Sequence, residues 1–385
     1  MTPERLIADR TGRRCLLLPS NRLGLYLALR HWCTPGQRLL MSPISADEIL
    51  FLVLAAGLRP VIAPLSRRDG NLDSSRIDLG SVDAVLTTNL YGLPDDYAAL
   101  AGKLVIEDVA HAMESDFGGR PLGSLGAAGV FSLSKHPGAG SGGVLAVSEA
   151  DDLKTLRAAR DRLLRPGAFR AELISVASSV ARRAAVRLDL VRPALWLMRR
   201  LGMEEPREGY RIPVQARELR AALAVAHVPL AAGRTAPPAE PLPAFDPWVR
   251  ADLHDYRSRR GALARWYQTR CTAAVPRQRE RRLAGVARLA ELPSAAAAVR
   301  EDPRQALFRV PLLVERRDEA IAALERHGVS TGYLYDPPYD DYAPGFTEPS
   351  PDPEDARWWA RHVLPVDPLQ ADRALPVLRR LTPAR

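Results

Sequence analysis

The strongest constraint on the fold is a series of short apolar runs through the first 150 residues. CLLLP, RLLM, RPVIAP, DAVLTTNL, KLVIED, GVFSLS and GGVLAVS follow one another. Stretches with helical patterns, such as RLGLYLALRHW, residues 47–56 and DDYAALAG, separate several of them. Short apolar runs that alternate with helices are typical of strands buried on both faces. The sequence therefore predicts an α/β fold with a mostly parallel sheet covered by helices.

The length and the change of pattern along the chain predict two domains. The chain has 385 residues, of which 46% are hydrophobic, enough for a large core and a smaller companion. We predict a large domain over residues 1–228, with a basic helical insertion at about 165–205. A proline-rich linker is predicted over residues 229–253, and residues 254–385 are predicted to form a small α+β domain.

The charge is carried almost entirely by arginine. The formal net charge is +9, and of 54 basic residues only Lys103, Lys135 and Lys154 are lysine. The arginines are spread among alanine and proline, without a basic tail or a helix-turn-helix pattern. We interpret this as a compositional bias and predict no nucleic-acid partner.

The sequence also limits the compartment and the metal chemistry. The N-terminal stretch MTPERLIADRTGRR lacks an apolar signal core, and no apolar run approaches the length of a membrane span. We predict a soluble, cytoplasmic protein. Three widely spaced cysteines fit neither a disulfide framework nor a zinc site, so we predict no metal.

A basic amphipathic stretch over residues 168–201 allows two interpretations. Apolar residues recur at helical spacing among arginines. Such a helix can lie on a membrane surface or pack on its own domain. We favour packing on the domain, because that arrangement is commoner.

The stretch FSLSKHPGAGSGG places Lys135 between a predicted strand and a glycine-rich turn. An amine can form a Schiff base with an aldehyde cofactor, whereas arginine stays protonated. In KLVIEDVAHAMES, Asp108 ends a strand and His111 follows it. Asp108 could face a ligand at the carboxyl edge of the sheet or could be a helix N-cap. His111 alone indicates packing or a single hydrogen bond.

Two turns complete the candidate site. PSNR places Ser20, Asn21 and Arg22 before a predicted helix, a pattern that fits either a phosphate site or plain capping. TTNLYG brings Asn89 and Tyr91 to the end of another strand. The order is a phosphate-compatible turn, a strand-end turn, a strand-end aspartate and a lysine about 27 residues later.

These motifs resemble the DegT-type sugar aminotransferases, pyridoxal 5'-phosphate (PLP) enzymes of the aspartate-aminotransferase fold (fold type I). The likeness lies in LYGLPDDYAAL and in VIEDVAHAMESDFGGRPLGSLGAAGVFSLSKHPGAGSGGVLAVS. RELRAALAVAHV, RSRRGALARWYQTRC, HGVSTGYLYDPPY and ARHVLPVDPLQ are similar to later family segments, in the same order.

The resemblance implies roles for the candidate residues. Lys135 would bond the cofactor aldehyde and Asp108 would pair with its pyridine nitrogen. His111 would lie beside the ring. Ser132 matches a phosphate-binding serine of the family. Ser20 and Asn21 fall where the family has a Ser-Gly-Thr turn at the phosphate.

The sequence departs from the family pattern at several of these positions. Arg22 replaces the threonine of the phosphate turn, and Ala46 falls where an aromatic residue would stack on the ring. Ser141 replaces an acidic residue, and the loop before Lys135 is two residues short. The segment YRIPVQA lacks the asparagine that a neighbouring chain would offer to the phosphate.

The implied function is transfer of an amino group, usually from glutamate, to a keto sugar attached to a nucleotide. The expected setting is secondary metabolism or polysaccharide synthesis, and the expected assembly is a homodimer. Two alternatives remain: a PLP enzyme of the same fold that performs dehydration or elimination, and a non-catalytic relative that acts as a partner subunit.

Overall fold

The computed structural model describes residues 2–188 and 256–384, together with residues 190, 193, 196, 197 and 200. The strands are β1 Arg14–Leu18, β2 Arg38–Met41, β3 Arg59–Ile62, β4 Ala84–Thr87, β5 Leu104–Asp108, β6 Asp116–Phe117, β7 Arg120–Pro121, β8 Ala128–Ser132, β9 Gly143–Val147, β10 Val310–Leu313 and β11 Val363–Val366. The helices are α1 Pro3–Thr11, α2 Asn21–Trp32, α3 Asp47–Ala55, α4 Ala150–Leu163, α5 Phe169–Arg187, α6 Ala262–Ala273, α7 Val275–Ala290, α8 Ala297–Glu301, α9 Arg317–Arg326, α10 Tyr339–Tyr342, α11 Glu354–His362 and α12 Ala371–Leu378.

Seven strands form one twisted sheet in the order β1-β9-β8-β5-β4-β2-β3. Neighbours from β8 to β3 pair in parallel, and β9 runs antiparallel to both β1 and β8. The predicted α/β fold with a mostly parallel sheet is therefore confirmed. The apolar runs singled out in the sequence supply all seven strands.

Alternate side chains of the central strands enter two separate cores, as the two-residue period of a strand requires. In β8, Val130 packs with the core beneath α2, whereas Phe131 joins Ile7 of α1 and Tyr267 of α6. Every residue of β4, β8 and β9 is buried. Helices on both faces account for the long apolar runs of these strands.

The C-terminal elements include a second, two-stranded sheet. Strands β10 and β11 pair antiparallel, and α9, α11 and α12 share their hydrophobic core. Strand and helix alternate here as the sequence predicts. The division into a large domain, a linker and a small domain stays a prediction, because its boundaries at 228–229 and 253–254 lie outside the described residues.

The helix predicted at DDYAALAG is wrong. Residues 97–102 form turns, with weak backbone bonds such as that from the amide of Leu100 to the carbonyl of Asp96 at 3.3 Å. Pro94 precedes this segment and Gly102 closes it in a left-handed conformation at φ 81°. Too few residues remain between these breaks to propagate a helix, because helix nucleation is costly.

Candidate active site

A cavity lies at the edge of the large sheet where the parallel strands end. Its lining comes from the turn after β1, the residue after β4, the end of β5, and the loop between β8 and β9. Ligands of open α/β sheets bind at this edge. The cavity is lined by Pro19, Ser20, Asn21, Arg22, Ser45, Ala46, Ile49, Thr88, Asp108, Ala110, His111, Ser132, Ser134, Lys135, Gly140, Ser141, Gly142, Tyr256, Arg260 and Tyr335.

The structure brings all six candidate residues of the sequence to this one cavity. They are Ser20, Asn21, Asp108, His111, Ser132 and Lys135. The departures Arg22, Ala46 and Ser141 line it as well. The shortened loop therefore still delivers Lys135 to the cavity, and the roles of these residues stay predictions.

Asp108 is a buried carboxyl at the end of β5, only 7% exposed. Its Oδ1 accepts hydrogen bonds from the backbone amide of Ala110 at 3.0 Å and from Nδ2 of Asn21 at 3.2 Å. Burial raises the pKa of Asp108 to about 6, although these two bonds and the charges of Lys135 and Arg22 oppose the shift. A positive partner beside this carboxyl would favour its ionised form further.

The turn after β1 serves structure and site together. Ser20 is the N-cap of α2, since its Oγ accepts from the amide of Leu23 at 3.1 Å and donates to the carbonyl of Tyr256 at 3.1 Å. Asn21 donates to Asp108 and to the carbonyl of Val130, each at 3.2 Å. The capping alternative is therefore realised for Ser20, whereas Asn21 orients the aspartate.

Arg22 adds a cation to the same turn. Its guanidinium donates to Oε1 of Glu48 at 3.0 Å and lies 4.7 Å from the ring centre of Tyr256. Glu48 also accepts from the Tyr256 hydroxyl at 3.3 Å. These contacts fix the Arg22 side chain at the cavity.

The loop that carries Lys135 is tightly closed by its own backbone. The amide of Leu133 donates to Gly142 at 2.9 Å, that of Ala139 to Leu133 at 2.8 Å, and that of Gly138 to Lys135 at 3.0 Å. Gly142 is left-handed at φ 107°, and a Cβ there would lie 2.6 Å from Nε2 of Gln268. Only glycine meets both demands.

Ser132 and Ser134 place two hydroxyls beside Lys135. Their Oγ atoms lie 2.9 Å apart, and both line the cavity. The Lys135 amine lies 5.8 Å from the ring centre of Phe308. Hydroxyls next to a cation are groups that can hold an anion such as a phosphate.

His111 is buried, and neither of its ring nitrogens has a hydrogen-bond partner among the described residues. Its ring stacks on Phe308 at 5.0 Å and on Tyr335 at 6.2 Å between ring centres. Burial lowers the pKa of His111 well below its ordinary value, and the nearby Lys135 lowers it further. The imidazole is therefore neutral, and its orphaned nitrogens indicate a polar occupant.

The turn TTNLYG packs against the end of β5 that carries Asp108. Asn89, left-handed at φ 45°, donates to the carbonyl of Asp108 at 3.1 Å. The carbonyl of Tyr91 accepts from the amides of Phe308 and Arg309 at 2.9 and 3.2 Å. This turn thus joins the aspartate strand to the aromatic residue that stacks on His111.

The sequence analysis missed three lining residues that come from distant parts of the chain. Tyr256 and Arg260 follow the proline-rich segment, and Tyr335 precedes two prolines in a left-handed conformation at φ 59°. The segments that resemble the family, RSRRGALARWYQTRC and HGVSTGYLYDPPY, contain or adjoin them. No spacing rule connects these residues to Asp108 or Lys135.

Residues 13–168 match the sequence model of the DegT/DnrJ/EryC1/StrS aminotransferase family. Over this segment, which is less than half of the chain, the sequence is similar to that family. L-glutamine:scyllo-inosose aminotransferase from Streptomyces griseus is 50% identical over 127 residues, which are 30% of this chain and 30% of that protein. GDP-perosamine synthase from Caulobacter vibrioides is 29% identical over 175 residues, which are 42% and 46% of the two chains. The matches thus span less than half of these relatives.

Solved structures with a similar fold cover nearly the whole chain. Helicobacter pylori PseC, an aminotransferase of pseudoaminic acid biosynthesis, has a TM-score of 0.62 and 14% identity, covering 97% of this chain and 90% of that one. GDP-4-keto-6-deoxy-D-mannose-3-dehydratase from E coli, with bound hydrated PLP, has a TM-score of 0.64, 14% identity and the same coverages. At such identities the likeness shows the fold alone.

The residues of the cavity fit pyridoxal phosphate in their chemistry. The Asp108 carboxyl suits the pyridine nitrogen, and the Lys135 amine suits the aldehyde. The neutral ring of His111 can lie beside the cofactor ring, and the hydroxyls of Ser132 and Ser134 beside a cation suit the phosphate. The glycines of the lysine loop let a ligand approach the backbone. Of the solved structures with a similar fold, one holds hydrated PLP and another holds a PLP-glutamate geminal diamine.

Proposed function

We propose that the protein is a PLP-dependent aminotransferase that transfers an amino group from glutamate to a keto sugar linked to a nucleotide. The observation that carries this proposal is that Lys135 and Asp108 line one cavity at the carboxyl edge of the sheet. Relatives supply the substrate class: GDP-perosamine synthase is 29% identical over its match, and the DesI structure holds a TDP-sugar product. We also propose a homodimer, as the family resemblance implies.

Each side chain has a task that follows from its surroundings. When bound, pyridoxal phosphate supplies an electron sink that stabilises negative charge at the substrate carbon. Asp108 would hold the ring nitrogen, and the positive charge there would lower the pKa of Asp108 from about 6, so that the acid stays ionised at neutral pH. His111, being neutral, does not compete for that carboxylate.

Among the described residues that line the cavity, Lys135 is the single lysine. An amine is the group that can both bond an aldehyde and hold or release a proton near its substrate. Ser132, Ser134 and the Arg22 guanidinium would hold the phosphate, since hydroxyls, cations and the start of α2 favour an anion. Ser20 would act there as the cap that holds the start of α2 in place.

The test is a PLP titration followed by absorbance of the bound cofactor. We expect the wild type and Lys103→Ala to acquire the spectrum of a cofactor bonded to lysine, because Lys103 donates instead to the carbonyl of Val82, outside the cavity. Lys135→Ala and Lys135→Arg are expected to lose that spectrum. A wild type without the spectrum at saturating PLP would leave a non-catalytic partner as the remaining reading.

The donor and the reaction are tested next. Added glutamate should convert the bound cofactor to its amine form and release the corresponding keto acid. A keto sugar linked to a nucleotide should then gain nitrogen. Loss of water from the sugar without gain of nitrogen would identify a dehydratase instead.

A further inference from the structure

Helix α5 is amphipathic in the reverse sense, with its polar side against the protein. Glu172, Ser175 and Ser179 are buried. Phe169, Leu173, Ile174 and Val180, here termed the apolar face, are exposed by 69%, 48%, 48% and 49%. Successive turns of a helix stack residues three and four apart on one side. The two sets therefore occupy different sides of α5.

Specific hydrogen bonds and close contacts hold the buried side of α5 against the protein. Glu172 accepts from the amides of Gly261, at 3.2 Å, and Ala264, and so caps the start of α6. A Cβ at Gly140 would lie 2.0 Å from Oγ of Ser179, and Arg183 donates to the carbonyl of Pro137. The helix is thus fixed on the loop that follows Lys135, and its apolar face cannot turn inward.

Exposed apolar side chains are concentrated in this one region. Of the nine large apolar side chains that are exposed in the described residues, eight lie between Phe169 and Leu197. Leu188, Leu190, Trp196 and Leu197 continue the surface beyond α5, each at least 47% exposed. Large exposed apolar patches mark interaction sites.

The charge of the region selects the partner. Residues 169–200 contain seven arginines and two acidic residues, Glu172 and Asp189. The Glu172 carboxylate and the Arg183 guanidinium are both turned inward. The segment therefore carries a strong positive charge next to its apolar side chains. Two copies meeting through this face would repel each other, whereas an anionic lipid surface would attract it.

We propose that α5, together with the exposed side chains of Leu188, Leu190, Trp196 and Leu197, docks the protein on an anionic membrane surface, with the apolar face inserted between lipid headgroups. Aromatic and aliphatic side chains flanked by arginine are typical of helices that lie in the membrane plane. None of the helices in the described residues is long and apolar enough to cross a bilayer. The helix therefore lies on the membrane rather than spanning it.

The experiment is vesicle flotation with the full-length protein. We expect binding to vesicles of phosphatidylglycerol and phosphatidylcholine to exceed binding to phosphatidylcholine alone by about tenfold at about 0.1 M salt. The variant Phe169→Gln, Leu173→Gln, Ile174→Gln should lose binding by about tenfold or more. Because all three residues are exposed, its melting temperature and its PLP spectrum should match those of the wild type.

Two further variants separate the apolar and the charged contributions. Phe169→Leu, Leu173→Ile, Ile174→Leu keeps the face apolar and should bind like the wild type. Arg170→Glu should weaken binding to anionic vesicles and leave binding to neutral vesicles unchanged. Equal binding to both vesicle types, or no binding, would overturn the proposal. So would a glutamine variant that dissociates a dimer in the absence of lipid, since the face would then join two copies.

Discussion

Asp108 is the residue at which burial and function make opposite demands. Burial raises its pKa to about 6, above the ordinary value of about 3.9 for an aspartate in an unfolded chain. The folded protein without cofactor therefore binds this proton more tightly than the unfolded chain. The contribution of Asp108 to stability is full below about pH 4 and is lost as the pH rises through about 6.

We predict that Asp108→Asn stabilises the cofactor-free protein at neutral pH. The amide keeps an oxygen for the bonds from Ala110 and Asn21 but cannot ionise. The difference in free energy of unfolding should be small near pH 4 and grow to as much as about 3 kcal/mol at pH 7. Urea unfolding at several pH values measures it.

The same variant should bind PLP more weakly, because a neutral amide does not hold a protonated ring nitrogen. The control is Asp9→Asn, whose carboxyl is 58% exposed and should leave the pH dependence as in the wild type. If the difference in free energy of unfolding between Asp108→Asn and the wild type did not change with pH, the Asp108 carboxyl would be solvated in the folded protein.

At the scale of single elements, the approach of α2 to the sheet sets the position of the turn after β1. A Cβ on Gly24 would lie 2.6 Å from Cγ1 of Val130 and 2.8 Å from Cδ1 of Leu18. The first residues of this helix carry Asn21 and Arg22 to the cavity. A helix lifted from the sheet would carry them away from Asp108.

We predict that Gly24→Ala lowers the free energy of unfolding by roughly 1–2 kcal/mol, although alanine favours an isolated helix by about 1 kcal/mol over glycine. PLP affinity should fall as well, because Asn21 moves relative to Asp108. Chemical unfolding and PLP titration measure the two effects.

A double-mutant cycle with Val130→Ala tests whether the loss of stability comes from the contact between the new methyl group and Val130. This second substitution removes the Cγ1 atom that the methyl group would meet. We expect the double variant to be more stable than the sum of the single effects by about 1 kcal/mol. Strict additivity would mean that α2 does not press on β8 at this point.

The strands were predictable from the sequence because buried parallel strands leave uninterrupted apolar runs. Asp108 and Lys135 were predictable as neighbours for a related reason, since both follow strands that end at one edge. The position of Tyr335 could not be predicted, because no local sequence pattern indicates that a turn 200 residues after Lys135 packs on His111. Helix α5 shows a further limit: periodicity reveals that an apolar side exists, but not that contacts made by Glu172 and Ser179 bury the other side.

At the scale of the whole molecule, a few buried contacts join the C-terminal elements to the large sheet. The amide of Ile62 in β3 donates to the carbonyl of Glu348 at 2.9 Å. Nε1 of Trp359 in α11 donates to the hydroxyl of Tyr91 at 3.1 Å. The Trp359 ring is fully buried, and a Cβ at Gly70 would lie only 2.5 Å from it. Trp359, which belongs to the C-terminal elements, is thus packed against Gly70 and Tyr91 from the first part of the chain.

Trp359→Phe should lower the free energy of unfolding by about 2–4 kcal/mol, because it leaves the buried Tyr91 hydroxyl without its donor and opens a cavity beside Gly70. The effect should extend to the site, since the carbonyl of Tyr91 positions Phe308 against His111. Urea unfolding measures the stability, and PLP titration measures the affinity. The matched control is Trp358→Phe in the same helix, a half-buried ring that lies 4.5 Å from the Arg67 guanidinium and should cost less than about 1 kcal/mol. Equal losses in the two variants would mean that Trp359 does not tie the C-terminal elements to the sheet.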